Sequence, residues 1–541
     1  MPLASHSKMD IDHDLSRIYL SNEIPTPTET ASIQLEVDAI MGNMSFLQAQ
    51  LQELEERLRV RRGALTSVRR VPPEILAEIF SNLVTEDLDS EGRDTVLDLG
   101  LVCKSWRRAT LGSHRLWAGI SVNQDQCNET SQGRIITWLN RSGDLPKTFK
   151  FDSLDPDYCD RGEPCQMSSP TLINLLSLGP KLHKLILQCS SHECFRTFLE
   201  EIGPKPDLMN PRPWDTLQSL ELELTTEDPW DEPLEASSSM FHHLPQLENL
   251  DLHLPLSGTA FEINPTHARF VDINIPPRLL QGLKAFTIHC DWEGSHILAM
   301  LEHCKNLESL TIDLRGGNVN WYDGNDILVR KFTELRLLLP KVHTICLESV
   351  PDIEMLDLLR APSLQDLHIE MESDGYEDPS EMELKEPLLR FITASNCQKT
   401  LRSLHLRKLV VYARELARTF FELPSLTGIT LDRCRFEESL FWGQMEDFAV
   451  RSAGRRGSSD DSLCLPHLQE LQTLCIPVEG PLLSAVAKFL KVNREINPLP
   501  CSWKVSYRTV MKAEVAVRGD LDDLSHDGVS FHVLPSESFG D

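Results

Sequence analysis

Residues able to do covalent or acid–base chemistry are plentiful in this sequence, and their spacing decides whether they do any. Eighteen histidines, fourteen cysteines and 82 acids against 53 bases could in principle build nucleophile–base pairs, metal hooks or phosphate clamps. The ordered patterns those chemistries need do not occur. There is no Gly-x-Ser-x-Gly elbow, no Gly-x-x-x-x-Gly-Lys-Ser/Thr loop and no His-Glu-x-x-His helix. Gly316-Gly317 follows no phosphate-binding pattern. The densest thiol group is Cys159, Cys165, Cys189, His192 and Cys194, and it lacks the paired C-x2-4-C hooks of zinc modules. Scattered cysteines of this kind read as reduced, buried, small hydrophobes. The expectation is no catalytic residue, no metal and no cofactor.

Charge narrows the partners. A net charge of −29 disfavours nucleic acid, whose phosphates need clustered Lys and Arg. The one basic cluster (Arg57, Arg59, Arg61, Arg62, Arg69 and Arg70) has no interleaved aromatics and reads as a solvated helix face, with a nuclear-import signal as the competing reading. No apolar run approaches the roughly 20 residues that span a bilayer. Met1–His6 has neither the charged nor the apolar region of a secretory leader. No membrane contact is expected, and a cytoplasmic or nuclear location is.

Along the chain, residues 1–31 are rich in Ser, Thr, Pro and acids and carry no period, so a disordered tail is expected. Over 32–62 a heptad appears. Ile33, Val37, Ile40, Met44, Leu47, Leu51, Leu54 and Leu58 alternate spacings of four and three, which predicts one long helix with a narrow apolar seam. Gly42 weakens it by about 1 kcal/mol relative to Ala. The seam either makes a homodimer through residues 33–58 or folds back onto the module behind it.

That module is Val71–Trp117. Pro72 and Pro73 open a helix whose Ile75, Leu76, Ile79, Phe80 and Leu83 share one face. An acidic loop follows, then segments carrying Val96, Leu97, Leu99 and Leu101, then Cys103 and Trp106, and finally Leu116 and Trp117. Three short helices bury too little to stand alone and need a neighbour. The ordered set Pro72-x-Glu74-Ile75-Leu76-x-x-Ile79-Phe80, Val102-Cys103-Lys104-x-Trp106-Arg107 and Leu116-Trp117 resembles an F-box, here spanning 68–120. The heptad helix ahead of it is similar to what many fungal F-box proteins show. The resemblance implies docking on the adaptor of an SCF-type (cullin–RING) ubiquitin ligase, and through it on a cullin. The residues implied as adaptor-facing or module-defining are Pro72, Ile75, Leu76, Ile79, Phe80, Leu99, Val102, Cys103, Trp106 and Trp117. The sequence departs from the pattern in the long acidic gap between Leu83 and Leu97.

Behind the module one phrase recurs: apolar, two polar, apolar, polar, apolar. It starts at Leu182, Leu217, Leu247, Leu283, Leu307, Val342, Leu364, Leu401, Leu426 and Leu471. Helical patterns fill the intervals at residues 171–178, 195–202, 296–303, 353–360, 387–394, 413–421, 442–450 and 482–490. This resembles the leucine-rich repeat, without the usual Asn after the phrase. The fold expected is α/β: an N-terminal helix and three-helix F-box, then an irregular solenoid of about ten repeats over 133–500, strands concave and helices convex, with a cap and tail at 501–541. A helix at Gly133–Arg141 and a strand at Phe149–Phe151 would form the first, atypical turn. The 452–462 insertion could accept a phosphate at Ser458.

Strand alternation then names the outward residues of the concave face: Glu221, Glu223, Asp251, Asp313, Glu348, Asp366, Glu370 and Asp432, with His253, His289, His368 and His405 and the bases Lys184 and Arg407. An acid-rich concavity would favour a basic target. Two functions remain. One is a substrate receptor, non-catalytic, working by proximity. The other is a repeat scaffold, dimeric through the heptad helix, that binds without degradation.

Overall fold

The computed structural model describes residues 18, 20, 22–65, 67–84, 88–153, 166–203, 211–224, 239–256, 273–292, 294–315, 327–372, 384–454, 463–476, 481–497, 499–507 and 528–534. Cys159, Cys165, Gly316-Gly317, Ser458 and most of the N-terminal tail lie outside them. The chain divides into two compact units, Met1–Phe80 with Leu99–Gly112, and Ser81–Asp98 with Ser113–Asp541.

The first unit is helical. Its longest element, α1 (Pro27–Ala64), runs 38 residues. It begins earlier than the heptad because Thr26-Pro27-Thr28-Glu29 is a start signal in its own right. Glu29 N–H donates to Thr26 Oγ1 and Thr26 N–H to the Glu29 carboxylate, with Pro27 at the first turn. Arg61 and Arg62 sit in the last turn, where cations complement the helix dipole. No residue of α1 is buried. Folding back would bury the seam, yet Val37 is 40 % and Leu47 61 % exposed. Three short helices follow along the chain: α2 (Pro73–Ser81), α3 (Ser90–Val102), of which only Leu99–Val102 belong to the first unit, and α4 (Lys104–Gly112).

The second unit is a 14-stranded, wholly parallel sheet in which every strand pairs with its neighbours in chain order. All ten phrases are strands: β3 (Lys184–Cys189), β4 (Ser219–Leu224), β5 (Asn249–His253), β6 (Ala285–His289), β7 (Ser309–Asp313), β8 (Thr344–Val350), β9 (Asp366–Met371), β10 (Ser403–Arg407), β11 (Gly428–Asp432) and β12 (Glu470–Ile476). The sheet starts before them with β1 (Gly119–Asn123) and β2 (Thr148–Asp152). It continues past them with β13 (Cys501–Tyr507) and β14 (Val529–Val533).

Register explains why the phrase repeats. Leu185, Leu220, Leu250, Phe286, Leu310, Ile345, Leu367 and Leu404 stand opposite one another from β3 to β10 and form one buried apolar row. The third apolar position gives a second row, Leu187 to Leu406, equally buried. Each strand alone would expose these side chains, and stacking buries them. Helices between strands supply the other half of the core, as in an α/β solenoid-like repeat. They include α5 (Glu129–Asn140), α6 (Pro170–Leu178), α7 (His192–Ile202), α8 (Pro277–Gly282), α9 (Gly294–Leu301), α10 (Ile327–Leu335), α11 (Lys385–Ser395), α12 (Ala413–Phe421), α13 (Glu438–Gly454) and α14 (Pro481–Ile496). Aromatic rings link the last three: Phe420 to Phe441 at 5.9 Å and Trp442 to Phe489 at 5.7 Å between centroids.

Three intervals differ from the sequence reading. Residues 353–360 form a 3-10 turn (Glu354–Leu358) running into a two-residue strand, Leu359–Arg360, that pairs with Leu337–Leu338. Pro362 follows closely and disfavours a helix there. α8 and α10, in contrast, occupy intervals where no helix was read. The missing Asn after the phrase is replaced by non-glycine residues with left-handed backbone, Arg315, Lys408 and Arg433, at strand exits. That conformation costs about 1 kcal/mol or more each, and it lets Arg315 and Lys408 fold back toward the strands.

Candidate functional site

The helix α2 separates its apolar residues into two sets. Leu76 and Phe80 are buried, and Phe80 packs on Trp106 with ring centroids 4.9 Å apart. Trp106 is half-buried, and its carbonyl accepts a hydrogen bond from Thr110 Oγ1 at 3.0 Å, tying α4 together. Ile75 and Ile79, one turn apart, are 53 % and 47 % exposed, and Pro72 beside them is exposed too. At the α3–α4 junction Leu101, Val102 and Cys103 are exposed and Leu99 is half-buried. A helical unit with this many solvent-facing aliphatic residues carries an interaction surface rather than a surplus core.

Residues 68–123 match the model of the F-box-like family. This stretch is an F-box-like domain. A comparison with curated proteins returns no match to the chain. Such a domain implies binding to an SCF adaptor, and F-box proteins are typically non-catalytic subunits.

Of the motif residues, then, Pro72, Ile75, Ile79, Val102 and Cys103 are accessible on the F-box. Leu76 and Phe80 are its interior. Trp117 lies in the second unit, 1 % exposed, its ring tilted 60° against Trp138 with centroids 4.5 Å apart and the Arg141 guanidinium 4.5 Å from its centroid. Trp138 Nε1 donates to the Gly119 carbonyl at 3.1 Å, so this pair ends the F-box against β1. The acidic gap, whose residues 85–87 lie outside the description, is anchored at its far end. Leu88 is buried and its carbonyl accepts from Ser121 N–H at 2.7 Å, while Arg93 bonds the Ser121 carbonyl and Gln126. A Leu and an Arg inside an acidic run gave no hint of that docking.

The strand face carries the other candidate residues, and they stand on it as alternation requires. Their charges are largely spent on one another. Five of the eight acids contact a base or a histidine: Glu221 with Lys184 at 2.7 Å, Asp251 with His253 at 3.2 Å, Asp313 with His289 at 2.9 Å, Glu370 with Arg407 at 2.8 Å and Asp432 with Arg407 at 3.1 Å. Glu223, Glu348 and Asp366 make no ion pair among the described residues.

Two histidine stacks punctuate the face. His253 and His289 lie 3.8 Å apart and 11° from parallel. Burial works against charge on His289, but Asp251 and Asp313 on its two nitrogens outweigh burial and raise its pKa to about 9. Burial likewise opposes ionisation of Asp251, and the two imidazoles hold it down at about 2. Asp251, His253 and His289 bring three ligand atoms within 4.8 Å of one another. Stacked rings, however, point their lone pairs in parallel, so an ion in the plane of one ring stands off the plane of the other. The trio is built as an ion-pair cluster.

The second stack, His368 and His405, is 3.9 Å apart and 4° from parallel. Cys346 Sγ lies 3.2 Å from His368 Nδ1, the distance of a thiol–imidazole dyad. The electrostatics oppose that chemistry. Burial first, then the neighbouring Glu348, push the thiol pKa up rather than down, whereas a nucleophilic cysteine needs a cationic neighbour to stabilise its thiolate. Burial lowers His368. Burial, His368 and Arg407 together depress His405 to about 4. The described cysteines are free thiols, most of them buried.

The depressed His405 pKa has a consequence for stability. Between pH 6.5 and 4 the unfolded chain takes up a proton that the folded chain refuses, so this group destabilises the fold as pH falls through that window. Replacing His405 by Gln should flatten the decline of the melting temperature between pH 7.5 and 5.0 by about 1–2 °C, after allowance for its partial exposure. Parallel pH profiles for the two proteins would show this mechanism absent.

Proposed function

We propose that the chain is the substrate-recognition subunit of an SCF-type ubiquitin ligase, its F-box holding the adaptor and its leucine-rich-repeat face holding a target protein. The observation that carries the reading is the split of α2, with Leu76 and Phe80 turned inward and Ile75 and Ile79 left exposed on a domain that matches the F-box-like family. The subunit contributes no chemistry; it raises the effective concentration of the target at the ubiquitin-loaded enzyme. On the repeat face, Glu223, Glu348 and Asp366 are the carboxylates whose charge is offered to a basic target segment: Glu223 accepts from Gln188 and Glu348 from Cys346, neutral donors, whereas their five acidic companions already face a base or a histidine. The domain division that goes with this reading is a heptad helix, an F-box-like stretch over 68–123 and a repeat region, the two sharing β1, which closes the one and opens the sheet of the other.

The test is paired capture from cells. The wild-type chain should retain the SCF adaptor and cullin. A chain with a disabled F-box should retain target proteins while losing the adaptor, and those targets should accumulate. A wild-type chain that captures no adaptor overturns the receptor reading. One that captures adaptor and partner, without any change in the partner's lifetime, favours the second reading, a non-degradative scaffold. The seam of α1, none of whose residues is buried, is available for joining two chains and supports that second reading.

A further inference from the structure

An isolated helix is marginal in water unless its apolar face is covered. α1 carries its seam over residues 33–58 and buries none of it. We propose that α1 pairs with α1 of a second copy of this chain as an antiparallel coiled coil.

The spacing places Val37, Met44, Leu51 and Leu58 at heptad position a, and Ile33, Ile40, Leu47 and Leu54 at d. Branching is divided between the halves of the helix. The N-terminal half has β-branched residues at both a and d, a choice that steers parallel coils away from dimers, while the C-terminal half has only Leu at a and d. An antiparallel register centred between Met44 and Leu47 puts one leucine, from the C-terminal half of one helix, in every layer. Ile33 meets Leu58 of the second copy, Val37 meets Leu54, Ile40 meets Leu51, and Met44 meets Leu47. A parallel register would stack like on like, crowding Ile against Ile at one end.

Charge makes the same choice. In the antiparallel register the g positions face one another, so Glu36 stands opposite Arg57 of the second copy, twice by symmetry. In the parallel register Arg57 would face Arg62 of the second copy, also twice, and like charges would repel. Gly42 falls at position f, away from the seam, and a side chain there would meet open space. At 1.5 Å per residue the two Ala64 ends would stand about 55 Å apart, at opposite ends of the rod. The pairing does not depend on what the F-box binds.

The test uses the full-length chain in sedimentation equilibrium, with circular dichroism to show that each variant keeps its helix. The wild-type chain should run at twice its 61.4 kDa at tens of micromolar. Arg57→Glu should raise the dissociation constant roughly threefold to tenfold, as should Glu36→Arg, and the combined Glu36→Arg, Arg57→Glu exchange should restore the wild-type value. A monomeric wild-type chain overturns the proposal. So does a tighter dimer from Arg57→Glu, which is the parallel signature. Failure of the double exchange to restore the dissociation constant also overturns it.

Discussion

A chain carrying Ile75→Asp and Ile79→Asp should fold normally and lose the SCF adaptor. Both side chains are about half exposed on α2, so a carboxylate at either stays in water and should change stability by only about 0.5 kcal/mol. At an interface the same carboxylates would be stripped of water against an apolar partner surface. Anchors of this type typically cost 2 kcal/mol or more each when lost, so capture should weaken roughly 100-fold or more. The choice of positions matters. Leu76 and Phe80 are buried, and Phe80 supports Trp106. A charge at Leu76 would unfold the F-box, and the loss of binding would say nothing about the contact. Binding by surface plasmon resonance, beside a melting curve, separates the two cases. A folded double variant that binds the adaptor as well as wild type would move the docking surface away from this helix face.

Much of this arrangement was legible from residue spacing. The phrase at Leu250, Leu310 or Leu404 marks a strand because two apolar rows must be covered on every repeat, and each of the ten phrases is one. Strands β1, β13 and β14 were illegible for the same reason. Gly119-Ile-Ser-Val-Asn and Cys501-Ser-Trp-Lys-Val keep the alternation without the leading leucine, and only the register against a neighbour shows that they extend the sheet. Trp117 shows a different limit. Its place in the motif was right, but sequence does not separate a tryptophan that binds a partner from one that packs on Trp138. The strand-face pairs do leave a signal in the sequence. Aligning successive phrases sets Cys346 beside His368 and Asp251 beside Glu221, because parallel strands in register bring equal phrase positions together. Five of the eight acids on the face stand within reach of a base or a histidine, so its free negative charge is smaller than the bare number of carboxylates.

The most buried of the strand-face ion pairs yields the other large effect. Arg407 on β10 reaches Glu370 on β9 at 2.8 Å and Asp432 on β11 at 3.1 Å, and both carboxylates are only 8 % exposed. Lys408, in left-handed conformation just past the strand, closes on Glu370 at 2.7 Å. Burial opposes charge on Glu370, and Lys408 and Arg407 more than offset it, so its pKa lies below the ordinary carboxylate value. Arg407→Met keeps the aliphatic stem and removes the charge, leaving Asp432 buried and unpaired. The expected loss is about 2–4 kcal/mol at pH 7, less than for a fully enclosed pair because Arg407 itself reaches solvent and Lys408 still serves Glu370. Lys408→Met should cost clearly less, since Arg407 remains between both acids. The sign of the pH dependence follows from the depressed carboxylate. The pairing stabilises above the unfolded Glu pKa and is lost as pH falls through the folded one, so the gap between wild type and Arg407→Met should narrow below pH 4.5. Denaturant titrations of the three proteins at pH 7 and pH 4 read both effects. Equal losses from Arg407→Met and Lys408→Met, or a gap that persists at pH 4, would show that packing rather than charge holds β9, β10 and β11 together at this point.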